Sequence, residues 1–271
     1  MRYNPIGVFD SGFGGLTVLR EITRILPEYD FLYFGDNARA PYGNRSFEVV
    51  HAYTLDAVEW LFERGCPLVI LACNTISAKA LRTIQRIDLP RFAPDRRVLG
   101  VIRPITEWIG TLSRSGHIGI LATAGTVASM SYEIEILKYF PDATVSQEAC
   151  PIWTSLIENG EFDNPAADYF IRKHVDRLLA ADSLIDVVVL GCTHYPLIQE
   201  KVADCLPAGV RLVAQGEIVA RRLADYLERH PEISARCSKQ ERRDFYTSES
   251  PEFFDHAASL FYGATIRSLR R

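Results

Sequence analysis

Two stretches of this chain repeat one local design: VILACNTISA, from Val69 to Ala78, and VVLGCTHYPL, from Val188 to Leu197. Each is a short apolar run that ends in a small residue, a cysteine and a polar residue before a helical pattern opens. Apolar runs without alternation suit strands covered on both faces, which demands helices above and below a sheet. Similar runs recur at Ile6 to Phe9, Phe31 to Gly35, Val98 to Val101, Ile118 to Ala122, Thr144 to Glu148 and Arg211 to Val213. Amphipathic segments separate them, at Leu16 to Ile25, Phe47 to Arg64, Ala78 to Arg86, Ala166 to Ala181 and Ile218 to Arg229. This alternation is the βαβ pattern of parallel sheets.

The duplicated unit predicts an α/β fold of two pseudo-symmetric, doubly wound domains with mainly parallel sheets. Ligands are then expected at the carboxyl ends of the strands, in the cleft between domains. Proline and charge concentrate in Pro90 to Arg97, and LPAGV at Leu206 to Val210 reads as a loop. We therefore expect a discontinuous first domain of residues 1–97 and 211–271, and a second of residues 98–210. Pro231 to Arg242 reads as an exposed connector or an extended loop within the returning domain, and Glu252 to Leu269 as a helix.

With 271 residues, 48% of them hydrophobic, the chain can bury two cores. A formal charge of −4 gives no basic footprint for nucleic acid or an anionic membrane. No apolar stretch nears the roughly 20 residues of a bilayer span. The start, MRYNPIGVFDSG, carries no apolar signal region, so a cytoplasmic location is expected. The six cysteines include no CxxC pair, which gives no support to a zinc site. Cys66, Cys205 and Cys237 read as small buried hydrophobes, and Cys150 as the end of an inward-facing strand.

Cys73 and Cys192 read differently. A thiol where a strand meets a helix N-terminus sits at the positive end of a dipole, which favours the thiolate. Two such thiols suit a two-base site that takes a proton from one face of a carbon and returns one to the other. Thr75 or Ser77 can cap the helix after Cys73, freeing amides and Asn74 for an anion. His194, two residues past Cys192 and beyond Thr193, can act on the thiol as a partner charge. A single Cys–His pair also serves acyl transfer through a thioester, but that needs only one nucleophile.

The turn FDSGFGGL does not complete GxGxxG, since Thr17 stands where the last glycine belongs. Asp10 at its strand tip either caps the next helix or, with Ser11, faces a ligand amine. Pro41-Tyr42-Gly43 either presents amides to a carboxylate or is simple turn chemistry. Asp36 reads as a turn cap, and Glu158, before Asn159-Gly160, as a surface residue at a helix end.

Taken together, IGVFDSGFGGL, YFGDNARAPYGNRS, ILACNTISAKAL, GVIRP, ILATAGTVAS, SLIENGE and LGCTHYPLI resemble, in order, the cofactor-independent glutamate racemases of the aspartate/glutamate racemase superfamily. The resemblance implies that Cys73 and Cys192 are acid/base thiols, Asp10 assisting the first and Glu158 with His194 the second. It implies substrate contacts from Asp10, Ser11, Pro41, Tyr42, Gly43, Asn74, Thr75, Thr123, Thr126, Thr193 and His194. It also implies glutamate as substrate, D-glutamate for peptidoglycan as product, no cofactor or metal, and a homodimer. Two places depart from the pattern: Trp153-Thr154-Ser155-Leu156 stands where many relatives have Pro-Leu-Val, and Gln215-Gly216 where they have Asp-Ser. Aspartate racemisation and a non-catalytic amino-acid-binding scaffold are the competing readings.

Overall fold

The computed structural model describes residues 3–271 and divides into two compact units, Met1–Val101 with Gly216–Arg271, and Ile102–Gln215. The first unit holds a six-stranded sheet. Its strands are β1 (Ile6–Asp10), β2 (Phe31–Gly35), β3 (Leu68–Leu71), β4 (Arg97–Gly100), β9 (Arg243–Thr247) and β10 (Ser268–Arg270), in the order β10-β9-β2-β1-β3-β4. The second holds β5 (His117–Ala122), β6 (Thr144–Ala149), β7 (Val187–Gly191) and β8 (Arg211–Val213), in the order β6-β5-β7-β8. Every pairing in both sheets is parallel. The permutation β2-β1-β3-β4 recurs as β6-β5-β7-β8, so the duplication seen around the two cysteines extends to the whole strand order.

Burial explains why these segments form strands. Every residue of β1, β2, β3 and β7 is buried, which only helices on both faces can achieve. The helix Gly15–Ile25 supplies Leu16, Leu19 and Ile22 as an apolar stripe, and Gly216–Arg229 supplies Val219, Leu223 and Leu227. The two helices pack on each other. In the second unit the helix Pro165–Ala181 starts with Asn164 accepting from the amides of Ala166 and Ala167, both at 3.0 Å, and buries Ile171, Val175 and Leu178.

The structure departs from the sequence reading at the unit boundaries and in the final helix. The chain changes units at 101/102 and 215/216, not at 97/98 and 210/211. The reason is pairing: β4 joins β3 in the first sheet and β8 joins β7 in the second. The final helix is Pro251–Tyr262 and stops at Gly263, whose φ of 79° is left-handed, so Ser268–Arg270 becomes a strand instead of helix. Pro231 to Arg242 lies within the returning unit, as the second of its two readings expected, but it is not all loop. It contains a short helix, Pro231–Ser234, and the buried Asp30 carboxylate accepts from Ser238 Oγ at 2.5 Å and from the amides of Gln240 and Arg242 at 2.9 Å each. Among the described residues no helix is long and apolar enough to cross a membrane.

Candidate active site

Each sheet gathers chemistry-bearing residues at the carboxyl ends of equivalent strands. In the first unit β1 ends in Asp10-Ser11, β2 leads to the loop through Tyr42, and β3 leads to Cys73. Cys73 is the N-cap of the helix Asn74–Lys79, with extended backbone at φ −131° and ψ 133°. The Ser11 hydroxyl lies 3.6 Å from its sulfur. Cys73 is 8% exposed, and Asn74 and Thr75 are buried in the first turn. Thr75 and Ser77 do not cap the helix. Ser77 instead ties two strands, donating to the Leu71 carbonyl at 3.0 Å and accepting from the Val101 amide at 3.2 Å.

Asp10 is fully buried. Its Oδ2 accepts from the amides of Gly12 at 3.2 Å and Gly15 at 2.9 Å and from the Tyr33 hydroxyl at 3.3 Å. Gly15 opens the next helix, so the capping reading of Asp10 is realised in the geometry, and Tyr33 is a partner that sequence patterning missed. A Cβ at Gly15 would sit 2.8 Å from the Asp10 Cβ and 3.0 Å from the Ala72 carbonyl, so only glycine lets this helix start against the carboxylate. Burial pushes the Tyr33 phenol well up, and the charges of Asp10 and Cys73 push it further.

The loop after β2 is organised by Asp36, read from sequence as a turn cap. This buried carboxylate accepts from the Tyr42 hydroxyl, from Arg39 Nε at 2.5 Å and from Ser248 Oγ at 2.7 Å. Tyr42 is thereby fixed inside the core while Pro41 is exposed and Gly43 half-buried. Burial, and then the Asp36 charge, hold the Tyr42 phenol far above its ordinary range, so it stays a neutral donor.

The second unit is built differently. Cys192 follows β7 directly and is 6% exposed, but the chain does not enter an α-helix there. Thr193 and His194 lead into the 3₁₀ turn Tyr195–Ile198, and a regular helix begins only at Gln199–Cys205. The expected helix N-terminus is thus displaced from Cys192, because Tyr195 is drawn into the core, where its hydroxyl donates to the Cys150 carbonyl at 3.1 Å. Side chains surround this thiol. His194 Nδ1 lies 3.7 Å from the Cys192 sulfur, and His194 Nε2 lies 2.8 Å from Glu158 Oε1. Glu158, the last residue of the helix Trp153–Glu158, is 27% exposed in its side chain and reaches the thiol only through His194. Burial alone would lower the imidazole, but its bonds to Cys192 and Glu158 prevail and hold it well above its ordinary range.

Thr123 caps the helix Ala124–Ala128, accepting from the Thr126 amide at 3.3 Å and donating to Thr126 Oγ1 at 3.1 Å. Both therefore belong to one helix start at the end of β5. The two departures have plain structural settings. Trp153 is fully buried with its ring edge-on to Tyr195 at 4.9 Å, and Thr154 Oγ1 lies 3.9 Å from the Cys192 sulfur. Gln215 is buried with Nε2 3.3 Å from the Leu190 carbonyl, and a Cβ at Gly216 would meet Glu21 Cγ at 3.1 Å. Among the described residues no cluster of His, Cys, Asp and Glu is arranged to hold a metal ion.

Comparison with known proteins adds a third line. The family model described as Asp/Glu/Hydantoin racemase matches residues 6–223. The chain is similar to the glutamate racemase of Geobacter metallireducens, 38% identical over 267 residues, which cover 98% of this chain and 95% of the relative. Among solved structures it resembles the glutamate racemase isoform RacE1 from Bacillus anthracis, at 32% identity and a TM-score of 0.90, with 100% of this chain and 98% of the other covered. It also resembles glutamate racemase from Francisella tularensis, solved in complex with D-glutamate, at 30% identity and a TM-score of 0.87, with 99% and 96% covered.

Proposed function

The chain belongs to the Asp/Glu/hydantoin racemase family, and from that premise we propose that it interconverts L- and D-glutamate by two-thiol proton transfer. The observation that carries this reading is the pair of buried cysteines, each following an equivalent strand, with the Ser11 hydroxyl beside the first and the His194 imidazole beside the second. One sulfur, as thiolate, takes the α-proton; the C–H electron pair passes into the carboxylate as an enediolate, and the other thiol returns a proton to the opposite face. The reverse reaction exchanges the roles.

An α-proton beside a carboxylate is very weakly acidic, and no electron-sink cofactor enters the scheme. The developing charge must then be met by preorganised donors in a water-poor site. The helix amides and hydroxyls at Ser11, Asn74, Thr75, Thr123, Thr126 and Thr193, with the amides around Pro41, Tyr42 and Gly43, are the groups we assign to the two substrate carboxylates. Asp10 assists Cys73, and His194 with Glu158 assists Cys192. Full-length similarity to glutamate racemases favours glutamate over aspartate. We further propose a cytoplasmic homodimer whose D-glutamate feeds peptidoglycan synthesis.

The test is incubation with L-glutamate, and separately with L-aspartate, in deuterated water without added cofactor. Loss of the α-proton signal together with decay of optical rotation for glutamate is the expected result. The same changes with aspartate alone reassign the substrate, and no change with either compound makes the chain a binding protein.

A further inference from the structure

The Cys192 sulfur has a second hydroxyl-bearing neighbour that the family resemblance did not assign. Thr154 Oγ1 lies 3.9 Å from it, in an orientation that lets either atom donate. Thr154 is also rigidly placed. Its neighbour Trp153 is fully buried, set edge-on against Tyr195 and anchored by Nε1 donating to the Phe170 carbonyl at 3.3 Å.

We propose that Thr154 is a positioning residue for Cys192, a hydroxyl that turns with the charge on the sulfur. When Cys192 is a thiolate, the Thr154 O–H donates to it, stabilising a buried anion that would otherwise rely on His194 alone. When the sulfur has taken a proton, the donor and acceptor exchange, and the new S–H donates to Thr154 Oγ1. No bond other than C–H and S–H changes, and no proton leaves Thr154. A hydroxyl is suited to this because it has one donor and two lone pairs on one rotor. The proposal rests on the reading of Cys192 as an acid/base group.

The test compares Thr154→Val, which keeps the shape and removes the hydroxyl, with Thr154→Ser, which keeps the hydroxyl. Enantiomers have equal free energies in water, so kcat/KM must fall equally in both directions and cannot reveal which thiol is affected. Isotope effects can. Thr154→Val should lower kcat/KM about five-fold, the worth of one hydrogen bond. With α-deuterated substrates, its isotope effect on kcat/KM should rise for the enantiomer whose proton Cys192 removes and fall for the other. The acid limb of the kcat profile measured with that enantiomer should move up by about 0.7 pH unit, the same five-fold on a pH axis. Thr154→Ser should restore all three.

Wild-type kcat/KM in Thr154→Val, or a loss with both isotope effects unchanged, overturns the proposal. If Thr154→Val does not fold, Thr154→Ala carries the same comparison. Cys192→Ala run alongside separates the two levels of inference. Normal turnover there would sink the role of Cys192 itself, whereas an inactive Cys192→Ala with an indifferent Thr154→Val would sink only the role of Thr154.

Discussion

The surroundings of Cys73 and Cys192 solve one electrostatic problem with different materials. Cys73 stands at the start of a helix with a serine hydroxyl beside it, and at the end of the neighbouring strand the buried Asp10 accepts through Oδ2 from amides and a phenol. Cys192 stands in an irregular turn and leans on an imidazole, which leans on a carboxylate. A helix start and a hydroxyl frame the first thiol; an imidazole backed by a carboxylate frames the second. On the proposed two-thiol scheme, the two bases can be tuned independently, since a change in the imidazole pair leaves the surroundings of Cys73 untouched.

Removing either sulfur tests the comparison most severely. Cys73→Ala and Cys192→Ala should each reduce racemisation at least a thousand-fold, the upper range for an acid/base group, measured by optical rotation with L- and then D-glutamate. Near-normal turnover by either variant would leave no need for a pair. Next come the partners. Asp10→Asn and His194→Asn should each cost about a hundred-fold in kcat/KM. They should shift the α-deuterium isotope effects in opposite senses, one raising the effect for the enantiomer in which the other lowers it. Shifts in the same sense would mean that both act on one thiol.

Glu158→Gln is expected to cost less, about ten-fold, because it acts through His194. The sign of its pH effect follows from the raised imidazole: losing the carboxylate lowers the His194 pKa, so the alkaline limb of the profile should move to lower pH. An unmoved limb would argue that Glu158 is a surface group after all.

A structural contrast is available at the two strand tips. Gly15→Ala forces a Cβ to within 2.8 Å of Asp10 and 3.0 Å of the Ala72 carbonyl, whereas Gly191→Ala meets its neighbours only at 3.1 Å and beyond. The former should cost about 1–3 kcal/mol in denaturant unfolding and the latter distinctly less.

The smallest effect is expected at Asp186, next to β7. Burial would raise its carboxyl, but Ser113 Oγ at 2.5 Å and the amides of Ser115 and Arg114 hold it down at about 2. A depressed carboxyl stabilises above its unfolded value and loses that contribution as pH falls toward about 2. Asp186→Asn should therefore lower stability by about 1 kcal/mol at neutral pH, with the difference from wild type vanishing near pH 2. A constant difference across that range would contradict it.

Much of this architecture was legible because buried parallel strands are apolar along their whole length, as β3 and β7 are. The strands that escaped notice are the ones that break this rule. Arg243–Thr247 reads RDFYT, a half-polar segment near a sheet edge, and Ser268–Arg270 follows a glycine stop whose left-handed turn only the backbone reveals. Within the site, the cysteines announced themselves by repetition, but Asp36, Tyr33 and Thr154 did not. Their partners lie far along the chain or on another strand, and no local spacing encodes a meeting of Asp36 with Ser248. Glu158 shows the same limit from the other side, since its sequence setting is that of a surface helix end and only the His194 bond distinguishes it.

That bond from Ser248 also sets an order of events during synthesis. Residues 102–215 form a contiguous unit that can fold as soon as it leaves the ribosome, complete with Cys192 and its relay. The Tyr42 loop beside Cys73 must wait, because the hydroxyl that clasps Asp36, and the strand leading to it, emerge only after the whole of that unit. A nascent chain stalled between the two would own a finished second thiol and an unfinished first one, and on the proposed scheme it would stay silent until Arg243–Thr247 had paired with Phe31–Gly35.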